Sequence, residues 1–361
     1  MGEPVTRRDP VLIIGLGLAG ACLHQSLTAR GQEVVVATDS GESASRVAAG
    51  LVSPVTGPRL SLPPETAACL GAATSLYRHA EDTLGRRLWH PAPIRRLFLD
   101  ARERERWQER RRHPEWRAYL AEAQPPNHHP GLADPEGSGL IRGGGHVAIE
   151  PLLDGLLQRL ARTGHLRPPV ADLHQLEVDG DGVRWQGERF AATFFCEGAG
   201  VRHNPWFDWL PVQPLKGEVL TLARPEGIPE HPLNRRQWLV PDSAETIRVG
   251  ATHEQRPADL HPSSAGRERL LDAARAMLGR PVTEGVLAHR AGWRPTVPDR
   301  RPVAGMHPRQ PRLGILNGFG GRGAFWGPFH AGALADHWLL GHPLPPACDV
   351  ARYWKEEGPC T

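Results

Sequence analysis

The first fifty residues contain the feature that most restricts the fold, an apolar run leading into closely spaced glycines, VLIIGLGLAG at residues 11–20. A helical pattern, ACLHQSLTAR, follows and ends at Gly31, and VVVA at 34–37 supplies a second buried strand. In such a strand–helix–strand unit, the first glycine permits a tight turn, the second admits a pyrophosphate, and the third lets helix and strand pack closely. The segment therefore predicts a parallel sheet with a dinucleotide site. The residues predicted to form that site are Gly15, Gly17, Leu18, Ala19 and Gly20.

The end of the second strand is the place where a dinucleotide-binding unit usually carries an acidic residue for the ribose hydroxyls. Asp39 lies two residues after VVVA, close to that place. We therefore expect Asp39 to contact the ribose.

Two further segments bear on whether the dinucleotide contains nicotinamide or flavin. SASRVAAGLVSPVTG at 43–57 is rich in small residues, as expected of a chain that passes close to a flat ring, although a tight loop without a ligand is the alternative. Near the other chain end, a predicted strand at 313–316 leads into NGFGGRGAFWGP and then a helix from about 331 to 340. A second helix N-terminus there can stabilise negative charge on a reduced flavin, so the two segments favour FAD. Their predicted contact residues are Ser45, Ala49, Gly50, Leu51, Gly318, Gly320, Gly321, Arg322 and Gly323.

A third strand, ATFFCEGAG at 192–200, is predicted between those segments. Gly198 and Gly200 fit a turn against the nucleotide, and a plain exit from the strand is the alternative. The preceding stretch, HLRPPVADLHQLEVDGDGVRWQG, predicts strands in a hairpin, with Val170 as a candidate contact for adenine.

Seven segments in chain order resemble those of the D-amino-acid oxidase and glycine/sarcosine oxidase (DAO) family of FAD-dependent oxidoreductases. They are VLIIGLGLAG, SASRVAAGLVSP, TFFCEGAG, VQPLKGEVL, QWLVPDSAETIRVGAT, AGWRPTVPDRRPVAG and LGILNGFGGRGAFWGP. Each is a loose pattern alone, whereas the ordered set is specific and spans nearly all 361 residues. FGGRGAFWGPF also resembles a segment of the oxidoreductase half of the bifunctional tRNA wobble-uridine modification enzyme.

The resemblance implies an α/β fold, α+β overall, in which a Rossmann-like FAD-binding domain is interleaved with a mainly antiparallel-sheet substrate domain. The FAD-binding domain is expected over 1–80, 140–210 and 290–361, and the substrate domain over 81–139 and 211–289. In similar flavin enzymes the ribose-binding acid falls one position before Asp39, where this chain has Thr38. Either Asp39 reaches the ribose from its own position or the contact is lost.

Arg294 stands between Trp293 and Pro295. A residue before proline favours extended geometry, so we expect Arg294 to close a strand and to project as a planar fork of donors. In a chain with 41 arginines, a solvated surface residue is the simpler interpretation of any one of them. The resemblance implies more, because Arg294 occupies the place of the family arginine that pairs with the substrate carboxylate.

Trp238 is the second candidate catalytic residue. By the resemblance, it stands where glycine oxidases carry a tyrosine that helps to bind the carboxylate. The indole can line the pocket, and packing in the core is the alternative. Because the phenol is missing, a plain amino acid is in doubt as the substrate.

No residue stands out as a general acid or base, which fits transfer of a hydride from a neutral amine to N5 of the flavin. Lys216 could assist oxygen near the flavin, but a structural role is favoured because the family also accepts arginine there. Cys348 and Cys360 fall beyond the final helix, so no cysteine stands near the C-terminal glycines. We therefore expect FAD to be bound non-covalently.

Composition restricts location and partners. The chain has no run of 18 apolar residues and no apolar N-terminal stretch, which predicts a cytoplasmic protein without membrane contact. The five cysteines form no CxxC pair, and we predict neither disulfides nor a metal site. The net charge of +3 is too weak to require nucleic acid. The segment 101–123 predicts one helix, with Trp107 and Trp116 as apolar anchors. Its mixed charges favour a solvated, salt-bridged face over a face that docks RNA.

Three functions remain open at this point. The first is oxidation of a small-molecule amine that bears a carboxylate, such as glycine, an N-substituted glycine or a D-amino acid, with O2 or another electron acceptor. The second is the same chemistry on the carboxymethylaminomethyl group of tRNA wobble uridine; tRNA is possible but not favoured as a partner. The third is a non-catalytic flavin-binding module that senses redox state or joins a partner subunit.

Overall fold

The computed structural model describes residues 9–39, 41–255, 259–282 and 285–355. Within these ranges the helices are α1 (Leu18–Thr28), α2 (Ala44–Val47), α3 (Thr66–Leu84), α4 (Ala101–Arg111), α5 (Pro114–Arg117), α6 (Ile149–Arg162), α7 (Ser264–Leu278) and α8 (Gly323–Leu340). The strands are β1 (Val11–Ile14), β2 (Val34–Ala37), β3 (Leu51–Val52), β4 (Trp89–Pro91), β5 (Ile94–Leu97), β6 (Ser138–Ile141), β7 (Gly145–Val147), β8 (Leu166–Arg167), β9 (Glu177–Val178), β10 (Val183–Trp185), β11 (Glu188–Phe190), β12 (Thr193–Phe195), β13 (Gln213–Ala223), β14 (Leu233–Arg235), β15 (Gln237–Pro241), β16 (Thr246–Gly250), β17 (Val286–Thr296), β18 (Val303–His307) and β19 (Gln310–Asn317).

The six-stranded sheet has the order β18-β19-β12-β1-β2-β8. Its pairs β19–β12, β12–β1, β1–β2 and β2–β8 are parallel, and β18 joins antiparallel at one edge. Because five neighbouring strands run the same way, the turns after β1, β2, β12 and β19 meet at one edge of the sheet. That edge therefore collects segments from both ends of the chain.

The seven-stranded sheet has the order β17-β13-β16-β15-β14-β5-β6 and is antiparallel except for the pair β14–β5. Its longest pair joins β13 to β17 and sets Leu215 opposite Arg294. Side chains alternate between the two faces of a strand. Leu220 and Leu222 pack with α7 on one face, whereas Gly217 and Val219 face a cavity on the other. This is the mainly antiparallel sheet that the sequence predicts.

Helices cover the six-stranded sheet on one side only. α1, α3, α6 and α8 pack there in one hydrophobic cluster that includes Val11 and Ile13 of β1. On the other side, Leu12 and Ile14 pack with the small sheet β11-β10-β9 and with Phe207. Because β1 is buried on both faces, its sequence is a continuous apolar run instead of an alternating one.

The charged segment after β5 does not form the single helix expected over 101–123. The structure divides it into α4 and α5, and Pro114 begins the second. His113 adopts an extended backbone before this proline, which interrupts the helix. Trp107 is nevertheless fully buried, as expected of an apolar anchor, and Glu103 is buried in an ion pair with Arg96.

The last helix begins at Gly323, eight residues before the expected start at 331. Pro328 lies inside it and cannot donate the backbone hydrogen bond that the carbonyl of Ala324 would accept in a regular helix. The Tyr77 hydroxyl on α3 donates to that carbonyl at 2.8 Å. A side chain 247 positions away thus satisfies the carbonyl freed by the proline.

We expect Tyr77→Phe to destabilise the protein by about 1–3 kcal/mol, because the buried carbonyl of Ala324 loses its donor without any change in side-chain shape. Urea unfolding of purified protein measures the effect. The matched control is Tyr119→Phe, since the Tyr119 hydroxyl makes no hydrogen bond to the described residues. Equal unfolding midpoints for the two variants would show that the Tyr77 bond is not needed.

Candidate active site

A cavity of about 770 Å³ lies where the carboxyl edge of the six-stranded sheet meets the seven-stranded sheet. Its wall includes the turn after β1, the segment 41–51, the turn after β12, and the glycine-rich segment before α8. Strands β13, β15 and β17 complete the wall from the other sheet. The volume is in the range of cofactor and ligand sites in proteins.

The glycines after β1 allow three backbone segments to approach one another closely. Gly15 has φ +96°, and a Cβ there would lie 2.6 Å from the carbonyl oxygen of Cys196. A Cβ on Gly20 would collide with the carbonyl oxygen of Gly15, so the start of α1 rests directly on the turn. Both positions therefore exclude any side chain, as the spacing predicts for the first and third glycines.

The N-terminus of α1 opens onto the cavity without an acidic residue in its first turn. Its outermost amides meet neutral hydroxyls: Leu18 N–H donates to Ser45 Oγ at 2.9 Å, and Leu16 N–H to Thr38 Oγ1 at 3.2 Å. A helix N-terminus carries a partial positive charge and favours anions. This end of the cavity is therefore suited to a phosphate group.

At the other end of the cavity, the guanidinium of Arg294 lies across Gly217, where a Cβ would collide with it. Its Nη2 donates to the carbonyl of Thr252 at 3.0 Å, whereas Nη1 is buried without a hydrogen-bond partner. Burial lowers the pKa of Arg294 to about 10, so the group remains charged at neutral pH. A buried cation with an idle donor is a strong candidate for binding an anion.

Trp238 and His253 line the cavity beside Arg294. The indole lies over Gly250, where a Cβ would collide with it, and packs against the cluster of Val47, Val219 and Ala251. The Trp238 side chain therefore both lines the pocket and packs against the hydrophobic core. Burial, and then the charge of Arg294, lower the pKa of His253 below its usual value.

Arg322 closes the cavity near the start of α8. Its guanidinium carbon lies 4.7 Å from the centre of the Phe325 ring and 4.6 Å from that of Trp326. Nε and Nη2 are buried and make no hydrogen bond, and burial lowers the pKa of this arginine to about 10. Two arginines with unused, buried donors therefore stand in the wall of one cavity.

The model of the DAO family, FAD dependent oxidoreductase, matches residues 10–337. The chain belongs to this family. This DAO-family protein is 27% identical, over 97% of its length, to the tRNA 5-methylaminomethyl-2-thiouridine biosynthesis bifunctional protein of an Azoarcus species, of which the match covers 61%. It is also 27% identical, over 90% of its length, to the bifunctional protein ThiO/ThiG of a Nostoc species, of which the match covers 52%. The chain thus spans less than two thirds of these relatives.

Solved structures share the fold of this DAO-family chain. Glycine oxidase from Geobacillus kaustophilus superimposes with a TM-score of 0.78 at 22% identity, covering 96% of this chain and 98% of that one. Iminodiacetate oxidase from a Chelativorans species gives a TM-score of 0.77 at 23% identity, covering 92% and 96%. The α/β fold class and the family predicted from the sequence are confirmed.

The cavity fits FAD, the cofactor of the family. The α1 N-terminus offers amides for a pyrophosphate, and glycines that tolerate no Cβ admit it to the turn. Most predicted contact residues share this one cavity wall, although they come from distant parts of the sequence. The residues are Gly15, Gly17, Leu18, Ala19, Asp39, Ser45, Ala49, Gly50, Leu51, Gly198, Gly200, Gly320, Gly321, Arg322 and Gly323.

Three predicted contact residues, Val170, Gly20 and Gly318, lie elsewhere. Val170 packs, partly buried, against the hydrophobic cluster on the far side of the six-stranded sheet and does not line the cavity. Gly20 and Gly318 also lie outside the wall, Gly20 at the contact of α1 with the turn and Gly318 in a left-handed turn with φ +75°. Cys360, expected beyond the last helix, is outside the described residues, whereas Cys348 is buried there with a free thiol.

An ion-pair network that sequence reasoning missed joins the two sheets beside the cavity. Arg248 on β16 pairs with Glu150 on α6 at 2.5 Å and donates to the carbonyl of Ala48 at 3.2 Å. Arg290 on β17 pairs with the same Glu150 at 2.6 Å and with Glu42 at 2.8 Å. The network holds the segment 42–48, which forms part of the cavity wall, against the seven-stranded sheet.

Glu197, which directly follows Cys196 at the end of β12, is a second residue that sequence reasoning missed. It lines the cavity, and burial raises its pKa to about 7, although the amide of Asn204 donates to Oε2 at 2.7 Å and opposes the shift. An acidic residue directly after the apolar run FFC was the available signal.

Lys216 does not line the cavity. Its Nζ donates to the carbonyl of His261 at 2.6 Å and lies 3.4 Å from the carboxylate of buried Glu218. Because the next residue on β13, Gly217, faces the cavity, the Lys216 side chain projects from the opposite face of the sheet. These contacts are those of a structural residue.

No group of three or more histidine, cysteine, aspartate or glutamate side chains in the described ranges is placed to hold a metal ion. None of the helices described is long and apolar enough to cross a bilayer.

The raised pKa of Glu197 predicts a pH-dependent stability. Between pH 4.5, where glutamate in an unfolded chain ionises, and about pH 7, the folded protein holds a proton that the unfolded chain has released. The free energy of unfolding contributed by this group therefore falls as pH rises through that window. We expect Glu197→Gln, which can still accept from Asn204, to gain stability relative to wild type between pH 5 and pH 7.5. If the unfolding midpoints of wild type and Glu197→Gln differ by the same amount at pH 5 and at pH 7.5, the predicted pH dependence is wrong.

Proposed function

We propose that this protein uses FAD to oxidise the C–N bond of an amine that bears a carboxylate: glycine, an N-substituted glycine or a D-amino acid. The observation that carries the proposal is the idle, buried Nη1 of Arg294 in the cavity that also contains the α1 N-terminus. We assign the six-stranded sheet and its helices to FAD and the seven-stranded sheet to the substrate. In this division β17, which carries Arg294, belongs wholly to the substrate side.

Each site residue has a defined part in this proposal. FAD, when bound, supplies a two-electron acceptor for the hydride that leaves the substrate carbon. Arg294 binds the carboxylate and so fixes the carbon–hydrogen bond in one orientation. Trp238 covers the pocket and excludes water. His253 lines the pocket beside Arg294.

The overall reaction balances with one molecule of water and one acceptor. The substrate loses a hydride from carbon and a proton from nitrogen, which leaves an imine. Water adds to the imine and releases a carbonyl acid and an amine or ammonia. The two electrons leave the protein on O2 or on another acceptor. No covalent link between the protein and FAD is needed, and we propose that FAD is bound non-covalently.

The test is anaerobic bleaching of the flavin absorbance by sarcosine, glycine and D-alanine, compared between wild type and Arg294→Gln. Removing one partner of a buried charge pair costs about 2–5 kcal/mol of binding free energy. The amine concentration that half-saturates bleaching should therefore be about 30-fold or more higher in Arg294→Gln than in wild type. The control is Arg300→Gln, because Arg300 also lines the cavity but is exposed. Equal half-saturation in wild type and Arg294→Gln would refute the carboxylate role.

A second candidate substrate is the carboxymethylaminomethyl group of tRNA wobble uridine. It is favoured by an alignment at 27% identity, over 97% of this chain, to a protein whose name describes tRNA thiouridine biosynthesis. The substituent is itself an N-substituted glycine, so Arg294 would act unchanged. Gel retardation of tRNA, and bleaching by modified tRNA but not by free sarcosine, would support this candidate over the free amine.

A further inference from the structure

The side-chain amide of Asn234 on β14 lines the cavity with an unused donor group. Its Oδ1 accepts a hydrogen bond from Nη1 of Arg96, which lies beside it on β5. Because a guanidinium can only donate, the amide presents its oxygen to Arg96 and turns its NH2 group away. The Nδ2 atom makes no hydrogen bond to the described residues, and it is not buried. Its donors are therefore open to the cavity.

A buried ion pair holds the amide in this orientation. Arg96 is 5% exposed and Glu103 is 3% exposed, and Nε of Arg96 donates to Glu103 at 2.8 Å. The other oxygen of Glu103 accepts from the backbone amide of Leu99 at 2.8 Å. Burying two charges is costly, and apolar residues of similar volume are often no less stable. The pair leaves one donor of Arg96 free, and that donor fixes Asn234.

Asn234 and Arg294 serve the same cavity from distant strands of the seven-stranded sheet. The register places Asn234 opposite Trp238, and Trp238 opposite Gly250 of β16, which adjoins β13. Directly opposite residues share one face of a sheet. The Arg294 guanidinium lies over Gly217 of β13. Because strands lie about 4.8 Å apart, the three steps from β13 to β14 separate this guanidinium from Asn234 by about 14 Å.

This separation decides which amines can contact both groups. One residue of extended chain spans about 3.6 Å, so glycine bound at Arg294 ends well short of Asn234. A substituent on the glycine nitrogen can continue past Trp238. An oxygen on that substituent would accept from a donor that is already oriented, whereas an apolar group there would leave the donor without a partner.

We propose that Asn234 selects N-substituted glycines whose substituent carries a carbonyl or hydroxyl oxygen, and that Arg96 is a positioning residue that acts through Asn234. Nδ2 donates to that oxygen while Arg294 binds the carboxylate. This specificity rests on the proposed function, because it concerns the substrate of the same site. It favours N-substituted glycines over free glycine.

Binding can be measured without turnover by using ethers of glycolic acid, which lack the oxidisable amine. Each ether carries either a ketone or the isosteric alkene, in which a methylidene group replaces the ketone oxygen, on chains of increasing length. Each ligand is titrated into FAD-loaded protein while the flavin absorbance is followed. The dissociation constant of the alkene divided by that of the ketone defines the ketone preference. At the chain length that reaches the amide, this preference should be about 5-fold lower in Asn234→Leu than in wild type, because one hydrogen bond is lost.

Thr56→Val is the matched control, because Thr56 also lines the cavity, is partly buried and loses one polar group. It should keep the wild-type ketone preference. Asn234→Asp keeps the size of the side chain and an oxygen for Arg96 but lacks the donor, so its preference should fall as in Asn234→Leu. Equal preferences in wild type and Asn234→Leu at every chain length would overturn the inference. A preference lost equally in Thr56→Val would also overturn it, because general polarity of the wall would then explain the result.

The positioning role of Arg96 has its own test. Arg96→Met combined with Glu103→Leu removes both buried charges and leaves the Asn234 amide free to turn, so the ketone preference should fall by about 3-fold. The same two changes made in Asn234→Leu should cause no further fall. An unchanged preference, or an equal fall in both backgrounds, would show that the ion pair is merely structural.

Anaerobic bleaching separates this inference from the proposed function. The N-substituted glycines that correspond to the ketone and alkene ethers are offered to wild type and to Asn234→Leu. If both amines bleach the flavin and the two proteins do not differ in their preference, amine oxidation stands and selection by Asn234 is wrong. If the ethers show the expected preference but no amine bleaches the flavin, the Asn234 contact stands and the proposed oxidation is wrong.

Discussion

Burial of the Arg294 guanidinium without a counter-charge is the constraint on which the site depends. A desolvated cation is costly unless a partner balances it, and among the residues that the structure describes only the carbonyl of Thr252 accepts a hydrogen bond from this guanidinium. Gly217 is required because the guanidinium occupies the space of a side chain there. The geometry of β13 and β17 is therefore arranged around a group whose full set of partners includes a ligand.

The same deficit of negative charge appears at the opposite end of the cavity. The N-terminus of α1 has no acid in its first turn, and hydroxyls of Thr38 and Ser45 meet its outer amides. Anions are thus expected at both ends, a pyrophosphate at one and carboxylates at the other. The network of Arg248, Arg290 and Glu150 joins the two sheets that bear these ends, so their separation is fixed by the fold.

Features set by local spacing could be predicted from the sequence. The glycines after β1 and the strand VVVA follow from a pattern of about thirty residues, and the resemblance placed Arg294 in the cavity.

Long-range contacts could not be predicted. The Arg248–Glu150 pair joins residues 98 apart, and the Tyr77 hydroxyl donates to the carbonyl of Ala324 across 247 positions. The raised pKa of Glu197 likewise depends on burial that its neighbours in sequence do not reveal. Val170, the candidate adenine contact of the predicted hairpin, packs against a separate hydrophobic cluster.

A crystal structure of the FAD-loaded protein with methoxyacetate bound would test the central claim most directly. It should show the pyrophosphate at the N-terminus of α1 and the ligand carboxylate within hydrogen-bonding distance, about 3 Å, of the Arg294 guanidinium. A flavin ring outside the cavity, or a carboxylate bound away from Arg294 while its Nη1 remains without a partner, would contradict it.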